Sequence, residues 1–393
     1  MRFCGIICEF NPLTNGHKYL IDQAKQLTSL PILALMSGDF TQRGEPAILD
    51  KYKRAELCVK MGCDFCLELP TAFAISPAQN FAEGAIKALT ELKNVSHIVF
   101  GSECGDLNIL EKIATFLSCP PQSFIKLLKE QIKLGNNYNN ALQTALSCEL
   151  KNIDIKTIFS GPNNILAIEY LKAIKKLKSP LIALTVKRID NGYNSIIKCN
   201  QFLGATAIRQ LCKVNQLEKV KDFVPYITFN FLKNNIKFNF EAFNLFLRFN
   251  LRNSTPNYLA TLFDYNEGVE YALIKSTNNQ NDISNIIKEV SGKRYRMSRI
   301  ARLILYASLK FSKSMQSKIF SQDCVLKLLC TKNENKANIK YLRQGIAKII
   351  VNIDDYKKYA NESINFDLYA SNVYNNFQNI NHNNDLTTGT KFI

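Results

Sequence analysis

Four short apolar runs set the frame of the first hundred residues: 2–9 (RFCGIICE), 31–36 (PILALM), 64–69 (DFCLEL) and 97–100 (HIVF). Between them lie segments with helical periodicity at 17–27, 50–61 and 78–92. Near-continuous apolar strands are buried on both faces, and strands alternating with helices at this spacing form parallel β-α-β units. The chain is therefore read as α/β, with an open parallel, Rossmann-like sheet whose ligand crevice lies beyond the C-terminal ends of the strands. A further strand at 181–186 (LIALTV) follows a mostly helical stretch over 106–178. From about 205 to 350 the pattern is helical. These patterns predict a sheet domain over 1–215 with a helical insertion at about 106–160, a basic helical region over 216–370, and an Asn-rich tail over 371–393. Residues 371–384 hold seven asparagines and few charges, which predicts a partly loose segment without chemistry.

Charge divides the chain in the same way. Residues 1–150 carry 14 Lys+Arg against 15 Asp+Glu, a net of −1, whereas residues 151–393 carry 36 against 18, a net of +18. A neutral front and a basic back imply two tasks, the second being attraction of a polyanion, either nucleic acid or an anionic membrane surface. No apolar run reaches the ~18–20 residues of a membrane span, and the N-terminal residues do not form a signal peptide. The twelve cysteines are scattered, as expected of free thiols in a reducing cytoplasm. Cys63 and Cys66 have metal-like spacing, but no second pair at zinc spacing follows, and no metal is expected.

The chemistry concentrates in residues 5–20 (GIICEFNPLTNGHKYL). A strand ends near Glu9, a turn with Asn11 and Pro12 follows, and a helix begins around Gly16 and His17. A helix N-terminus directly after a strand offers unpaired N–H groups and a positive dipole end to an anion. Gly16 permits close approach to the backbone. His17 places an imidazole where it can donate a hydrogen bond as charge develops on a phosphate. The competing reading, an incidental turn histidine, is disfavoured by its place after Asn-Gly at a strand-to-helix junction.

Thr14-Asn15-Gly16-His17 resembles the His/Thr-x-Gly-His signature of the nucleotidyltransferase superfamily. The surrounding stretches sharpen this. EFNPLTNGHKYL at 9–20, MSGDFTQRGEPAILDKYKRAE at 36–56, LELP at 67–70, FAEGAIKAL at 81–89 and FGSECGD at 100–106 resemble, in order, the tRNA(Met) cytidine acetate ligase family. So do GPNNILAIEYLKA at 161–173, VKRIDNGYN at 186–194, GATAIRQL at 204–211 and GKRYRMSRIARL at 292–303, so the resemblance covers roughly residues 1–370. It implies a nucleotidyltransferase-like ATP-binding domain followed by a tRNA-binding region. The implied enzyme is a cytoplasmic, ATP-dependent ligase that forms acetyl-adenylate from acetate. It then acetylates N4 of the wobble cytidine of elongator tRNA(Met). ATP, with Mg2+, and the tRNA are the implied partners; no membrane and no obligate protein partner are.

By the same resemblance, Ile7, Cys8, Glu9, Phe10, Asn11, Pro12, Leu13, Thr14, Asn15, Gly16, His17, Lys18, Tyr19 and Leu20 would wrap ATP. Gly101 would lie under the nucleotide, at least one of Asn163 and Asn164 would contact it, and Lys187 and Arg188 would follow a strand into the site. His17 and Arg188 are the candidate catalytic residues, Arg188 because its planar fork can clamp two phosphate oxygens. The family usually has His at Thr14, whose hydroxyl can still bond an oxygen, and Ser at Gly204. Asn163 is also a plausible helix cap, and Thr206 and Arg209 are expected to cap a helix facing the site. GSECGD at 101–106 lacks the glycine spacing of a dinucleotide fingerprint.

Asp39, Gln42, Arg43 and Glu45 lie in a loop at the same edge, with acetate or cytidine contact as the functional reading and a solvated loop as the other. Lys293, Arg294, Arg296 and Arg299, interleaved with Tyr295 and followed by Arg302, suit phosphate contact and base stacking in RNA. Two rivals share the phosphate motif: a nucleotidyltransferase making a small cofactor precursor, and an RNA-binding protein with a vestigial catalytic domain. The first does not need a +18 half of more than 200 residues; the second would neither consume ATP nor transfer acetyl.

Overall fold

The structure is a computed structural model that describes residues 1–136, 138–189, 203–266, 268–292, 295–378 and 380–393. Its five N-terminal strands are β1 (Phe3–Cys8), β2 (Ile32–Ser37), β3 (Phe65–Leu69), β4 (Val95–Ser102) and β5 (Ile182–Lys187). They pair in parallel in the order β5-β4-β1-β2-β3. The open parallel sheet read from the sequence is therefore present. The order reverses between β1 and β4, and a doubly wound sheet opens a ligand crevice at such a switch point.

Alternation along each strand divides the core. Cys4, Ile6, Ala34, Met36 and Cys66 face one side, where they pack with Ile21 and Ala24 of α1 (Asn15–Thr28) and Ala55, Cys58 and Val59 of α2 (Lys51–Lys60). Phe3, Leu33, Leu35, Phe65 and Leu67 face the other, against the Ala78–Glu91 helix and the C-terminal helices. Cys63 and Cys66 are buried free thiols of the first layer.

The stretch from about 205 to 350 is not purely helical. β6 (Val325–Thr331) and β7 (Lys348–Ile350) extend the sheet beyond β3, β6 running antiparallel to β3, and β8 (Lys391–Phe392) pairs with β6. All seven residues of β6 are buried, so its apolar run lacks the polar face that marks a surface helix. The tail is also better ordered than its composition suggests. The Glu362–Asn376 helix runs into it, Ser371, Tyr374, Asn375 and Gln378 are buried, and the Tyr374 hydroxyl donates to the Ala47 carbonyl at 2.8 Å. Asparagine here serves as a capping and bridging residue: Asn361 caps that helix, and Asn372 and Asn383 bond to each other.

The tail also closes a buried charge cluster over α2. Lys51 Nζ donates to Glu68 at 2.8 and 2.9 Å, to Asp385 at 2.6 Å and to Ser371 at 2.8 Å. Lys327 of β6 donates to the Asp385 carbonyl at 2.6 Å, and the Tyr52 hydroxyl bonds the Asp385 carboxylate. Burial drives the Asp385 carboxyl up, but Lys51 and Lys327 together pull it further down, to about 2. Burial lowers Lys327 to about 8 and raises Glu68 to about 8, each against the pull of its opposite charge. Among the described residues, no helix is long and apolar enough to cross a membrane.

Candidate functional site

At the switch point, the start of α1 faces the ends of β4 and β5. The cleft is lined by Thr14, Gly16, His17, Tyr19 and Leu20 from one side, by Gly101 and Val186–Ile189 from the other, and by Leu203, Gly204 and Ala205. Of the wrapping segment, the part from Thr14 to Leu20 forms the wall. The preceding residues shape it from behind: Phe10 and Leu13 are buried, and Asn11 Oδ1 accepts from the Ile48 N–H at 2.9 Å. Ile7 and Cys8 belong to β1 and its core packing. Lys18 pairs with Asp22 one turn on, and Asn15 Nδ2 donates to the Asp222 carbonyl at 2.9 Å.

Thr14 has a definite task. It is the N-cap of α1, and it forms a capping box with His17: the His17 N–H points to Thr14 Oγ1 at 3.4 Å, and the Thr14 N–H donates to His17 Nδ1 at 3.0 Å. With Nδ1 accepting, the ring proton belongs on Nε2, which fixes the tautomer. Burial first, and the Arg188 guanidinium second, lower the His17 pKa to about 4, while a hydrogen bond to the Pro12 backbone works the other way. His17 is therefore a neutral N–H donor near pH 7. The first turn of α1 contains no acidic side chain, so its positive end remains unneutralised.

These two states of His17 predict a pH effect on stability. Unfolded, the ring titrates near 6.5; folded, near 4. Between those values the unfolded chain binds more protons, so stability falls as pH drops through this window. His17→Gln is expected to flatten that part of the melting-temperature profile relative to wild type. Parallel profiles from pH 7 to pH 4 would contradict the buried neutral imidazole.

Arg188 follows β5 directly, and its N–H donates to the Ser102 carbonyl of β4 at 2.9 Å. Its side chain runs over Gly101, where an added Cβ would lie 3.2 Å from Arg188 Cγ. Gly101 thus leaves room for the arginine stem. Lys187 lines the same wall. Asn163 and Asn164 sit at the second and third positions of the Pro162–Lys176 helix, whose N-cap is Gly161 with Pro162 at N1, so Asn163 is not the cap. Asn164 is 1% exposed and spends both ends of its amide, accepting from the Cys104 N–H at 3.1 Å and donating to the Ile158 carbonyl at 3.0 Å. Asn163 is partly exposed, and its Nδ2 is held by Glu103 at 2.7 Å.

The Ala205–Lys213 helix has Gly204 as its N-cap and no side-chain cap, so neither Thr206 nor Arg209 caps it. Arg209 instead reaches back to the site turn, donating to the Asn11 carbonyl at 2.9 Å and pairing with Glu45 at 3.2 Å. A buried arginine that the motif reading passed over does more. Arg54 donates to the carbonyls of Leu49, Glu9 and Ser37 at 2.9, 2.8 and 2.9 Å and to that of Gly38, tying the ends of β1 and β2 together. Asp39 belongs to the charge cluster around Lys51, and Arg43 is exposed at the loop tip.

The basic segment docks on this loop. Arg302 donates to the Gln42 carbonyl at 3.2 Å, while the Gln42 N–H donates to Glu9 at 2.9 Å. Gly44, at φ +74°, lies so close that a Cβ would sit 2.5 Å from the Arg302 nitrogen. Arg296 is exposed. Arg299 pairs with Asp264 at 3.3 Å and stacks on Tyr295. Lys293 and Arg294 lie outside the described residues.

Known proteins resemble this chain along nearly its whole length. The family model for the HIGH nucleotidyl transferase matches residues 1–388. The chain is 37% identical over 383 residues to the tRNA(Met) cytidine acetate ligase of Caldanaerobacter subterraneus subsp. tengcongensis, covering 95% of each chain. It is 32% identical over 383 residues to the enzyme of that name from Clostridium perfringens, again covering 95% of each. Among solved structures, it is similar over the full length of both chains to apo Thermotoga maritima TmcAL (TM-score 0.92, 28% identity) and to the same protein bound with alpha-thio ATP (TM-score 0.91, 28% identity).

Proposed function

The chain belongs to the tRNA(Met) cytidine acetate ligase family of HIGH nucleotidyltransferases, and on that premise we propose that it activates acetate with ATP and acetylates N4 of the wobble cytidine of elongator tRNA(Met). The observation that carries this reading is the neutral His17 at the positive end of α1, whose first turn has no acidic side chain, beside Arg188 in the switch-point cleft.

In the first step an acetate oxygen attacks the α-phosphorus of ATP, the bond to the β,γ-pyrophosphate breaks, and acetyl-adenylate forms. His17 Nε2–H, the N–H groups of α1 and the Arg188 guanidinium stabilise charge growing on the phosphate oxygens. Their contribution is position and electrostatics, with no covalent bond to the protein. In the second step the N4 amino group attacks the acetyl carbonyl, AMP leaves, and the amine loses a proton. An unstacked anticodon base reaches the cleft at low cost. The described residues contain no group of three or more His, Cys, Asp or Glu side chains arranged for a metal. Mg2+ would accordingly be held chiefly by the phosphate oxygens and would supply charge neutralisation there.

The exposed Arg296 and the +18 half support a tRNA surface on this side, with Arg299 and Arg302 shaping it through Asp264 and Gln42. A cytoplasmic enzyme is the corresponding location. Affinity for tRNA is expected to fall more than about tenfold between ~50 and ~200 mM salt, measured by filter binding; salt-independent binding would contradict this surface. The function itself is tested by incubating the protein with labelled acetate, ATP and total tRNA. N4-acetylcytidine is the expected product. Pyrophosphate release with a phosphorylated small metabolite would support the cofactor-making rival, and neither product would support the vestigial one.

A further inference from the structure

We propose that Glu103 is a positioning residue for the nucleotide, acting through Asn163; this rests on the reading that one of Asn163 and Asn164 contacts ATP. The Pro162–Lys176 helix begins at Gly161, which has no side chain to cap it, and Pro162 has no N–H to satisfy. The first two free donors belong to Asn163 and Asn164. Both are taken by one carboxylate from a different loop: Asn163 N–H to Glu103 Oε1 at 3.1 Å and Asn164 N–H to Glu103 Oε2 at 2.7 Å. Gly161 is what permits this approach, since a Cβ there would lie 2.5 Å from Glu103 Oε2.

Two consequences follow. A carboxylate now occupies the positive end of this helix, so it cannot also receive a phosphate; the starts of α1 and of the Ala205–Lys213 helix, both at the cleft, are the helix ends left to meet the triphosphate. The Asn163 amide is also fixed in one sense. Its Nδ2 donates to Glu103 Oε1 at 2.7 Å, which leaves Oδ1 as the end available to a ligand, an acceptor for a nucleotide N–H or O–H. Asn164, with both amide ends spent inside the protein, is excluded from that task. Glu103 directly follows Gly101 and Ser102 at the end of β4, and the Ser102 carbonyl holds the Arg188 N–H, so one short segment sets Asn163 and the arginine relative to each other.

The test is a double-mutant cycle read by ATP affinity in calorimetric titration, which needs neither acetate nor tRNA and so stands apart from the ligase reading. Glu103→Ala and Asn163→Ala are each expected to weaken ATP about tenfold, the scale of one charge-assisted hydrogen bond. The double variant is expected to be no weaker than about the same tenfold, because one residue acts through the other. Glu103→Gln, which keeps one acceptor but sets an amide N–H against the Asn164 N–H, should fall between wild type and Glu103→Ala, and it replaces Glu103→Ala in the cycle if that variant does not fold. Wild-type ATP affinity in a folded Glu103 variant, or additive losses near a hundredfold in the double variant, would overturn the assignment. Wild-type protein that binds ATP but transfers no acetyl group would instead overturn the ligase reading while leaving the cycle readable.

Discussion

His17→Ala is expected to lower acetate-dependent ATP–pyrophosphate exchange by about 10²–10³-fold, the usual cost of removing one preorganised donor from a developing oxyanion. The donor is preorganised here by its own helix: Thr14 N–H holds Nδ1 at 3.0 Å, Phe10 packs edge-on with the ring centroids 5.1 Å apart, and burial keeps the ring uncharged. Because His17 lies at the phosphate end and the basic helices lie elsewhere, tRNA affinity should stay within about twofold of wild type. Exchange at the wild-type rate would show that the cleft at α1 is not where the phosphorus reacts. Thr14→Ala is the milder companion. It removes the cap hydroxyl but leaves the Thr14 backbone N–H on His17, so it should cost about 1 kcal/mol of stability and a smaller share of the exchange rate.

The second large effect involves residues outside the cleft lining. Asp385→Ala should destabilise the fold by about 3–5 kcal/mol, because two buried lysines lose their shared counter-charge. Lys51 and Lys327 are 1% and 3% exposed, and beyond Asp385 the closest remaining carboxylate is Glu68, which already bonds Lys51. Urea unfolding read by circular dichroism measures the loss. Asp385→Asn, which keeps the shape and removes the charge, should fall between the two. A change below about 1 kcal/mol would mean the cluster is not held together by this carboxylate. Truncation before Asn384 should be at least as damaging, since it also removes β8 from the edge of β6.

The parallel sheet and its crevice were legible because unbroken apolar strands alternate with helices. The turn and helix start of the candidate phosphate site were legible because they lie within a dozen consecutive residues, Glu9 to Leu20; Gly101 and Arg188, which the structure brings to the same cleft, are distant in the chain and entered only through the family resemblance. The elements that escaped share a physical trait: their partners are distant in the chain. β6 is an apolar run between helices and declares itself only by pairing with β3, some 260 residues earlier. Asp385 looks like a tail residue until Lys51, 334 positions away, is placed beside it. Glu103 has no motif of its own and gains meaning from two backbone N–H groups sixty residues on. Asn163 illustrates a different limit. Its place after Gly-Pro suggested a cap, but the proline takes N1 and the cap falls on Gly161.

The order of bond-making in the cleft is tested most directly with acetate carrying oxygen-18 in both carboxylate positions. If acetate attacks the α-phosphorus and the cytidine amine then displaces AMP from the acetyl carbon, one labelled oxygen stays on AMP. Mass spectrometry of a reaction with ATP and tRNA should therefore find one oxygen-18 atom in AMP, one in N4-acetylcytidine and none in pyrophosphate. Label in inorganic phosphate or pyrophosphate, or unlabelled AMP alongside acetylated tRNA, would contradict acetyl-adenylate formation at the His17 site.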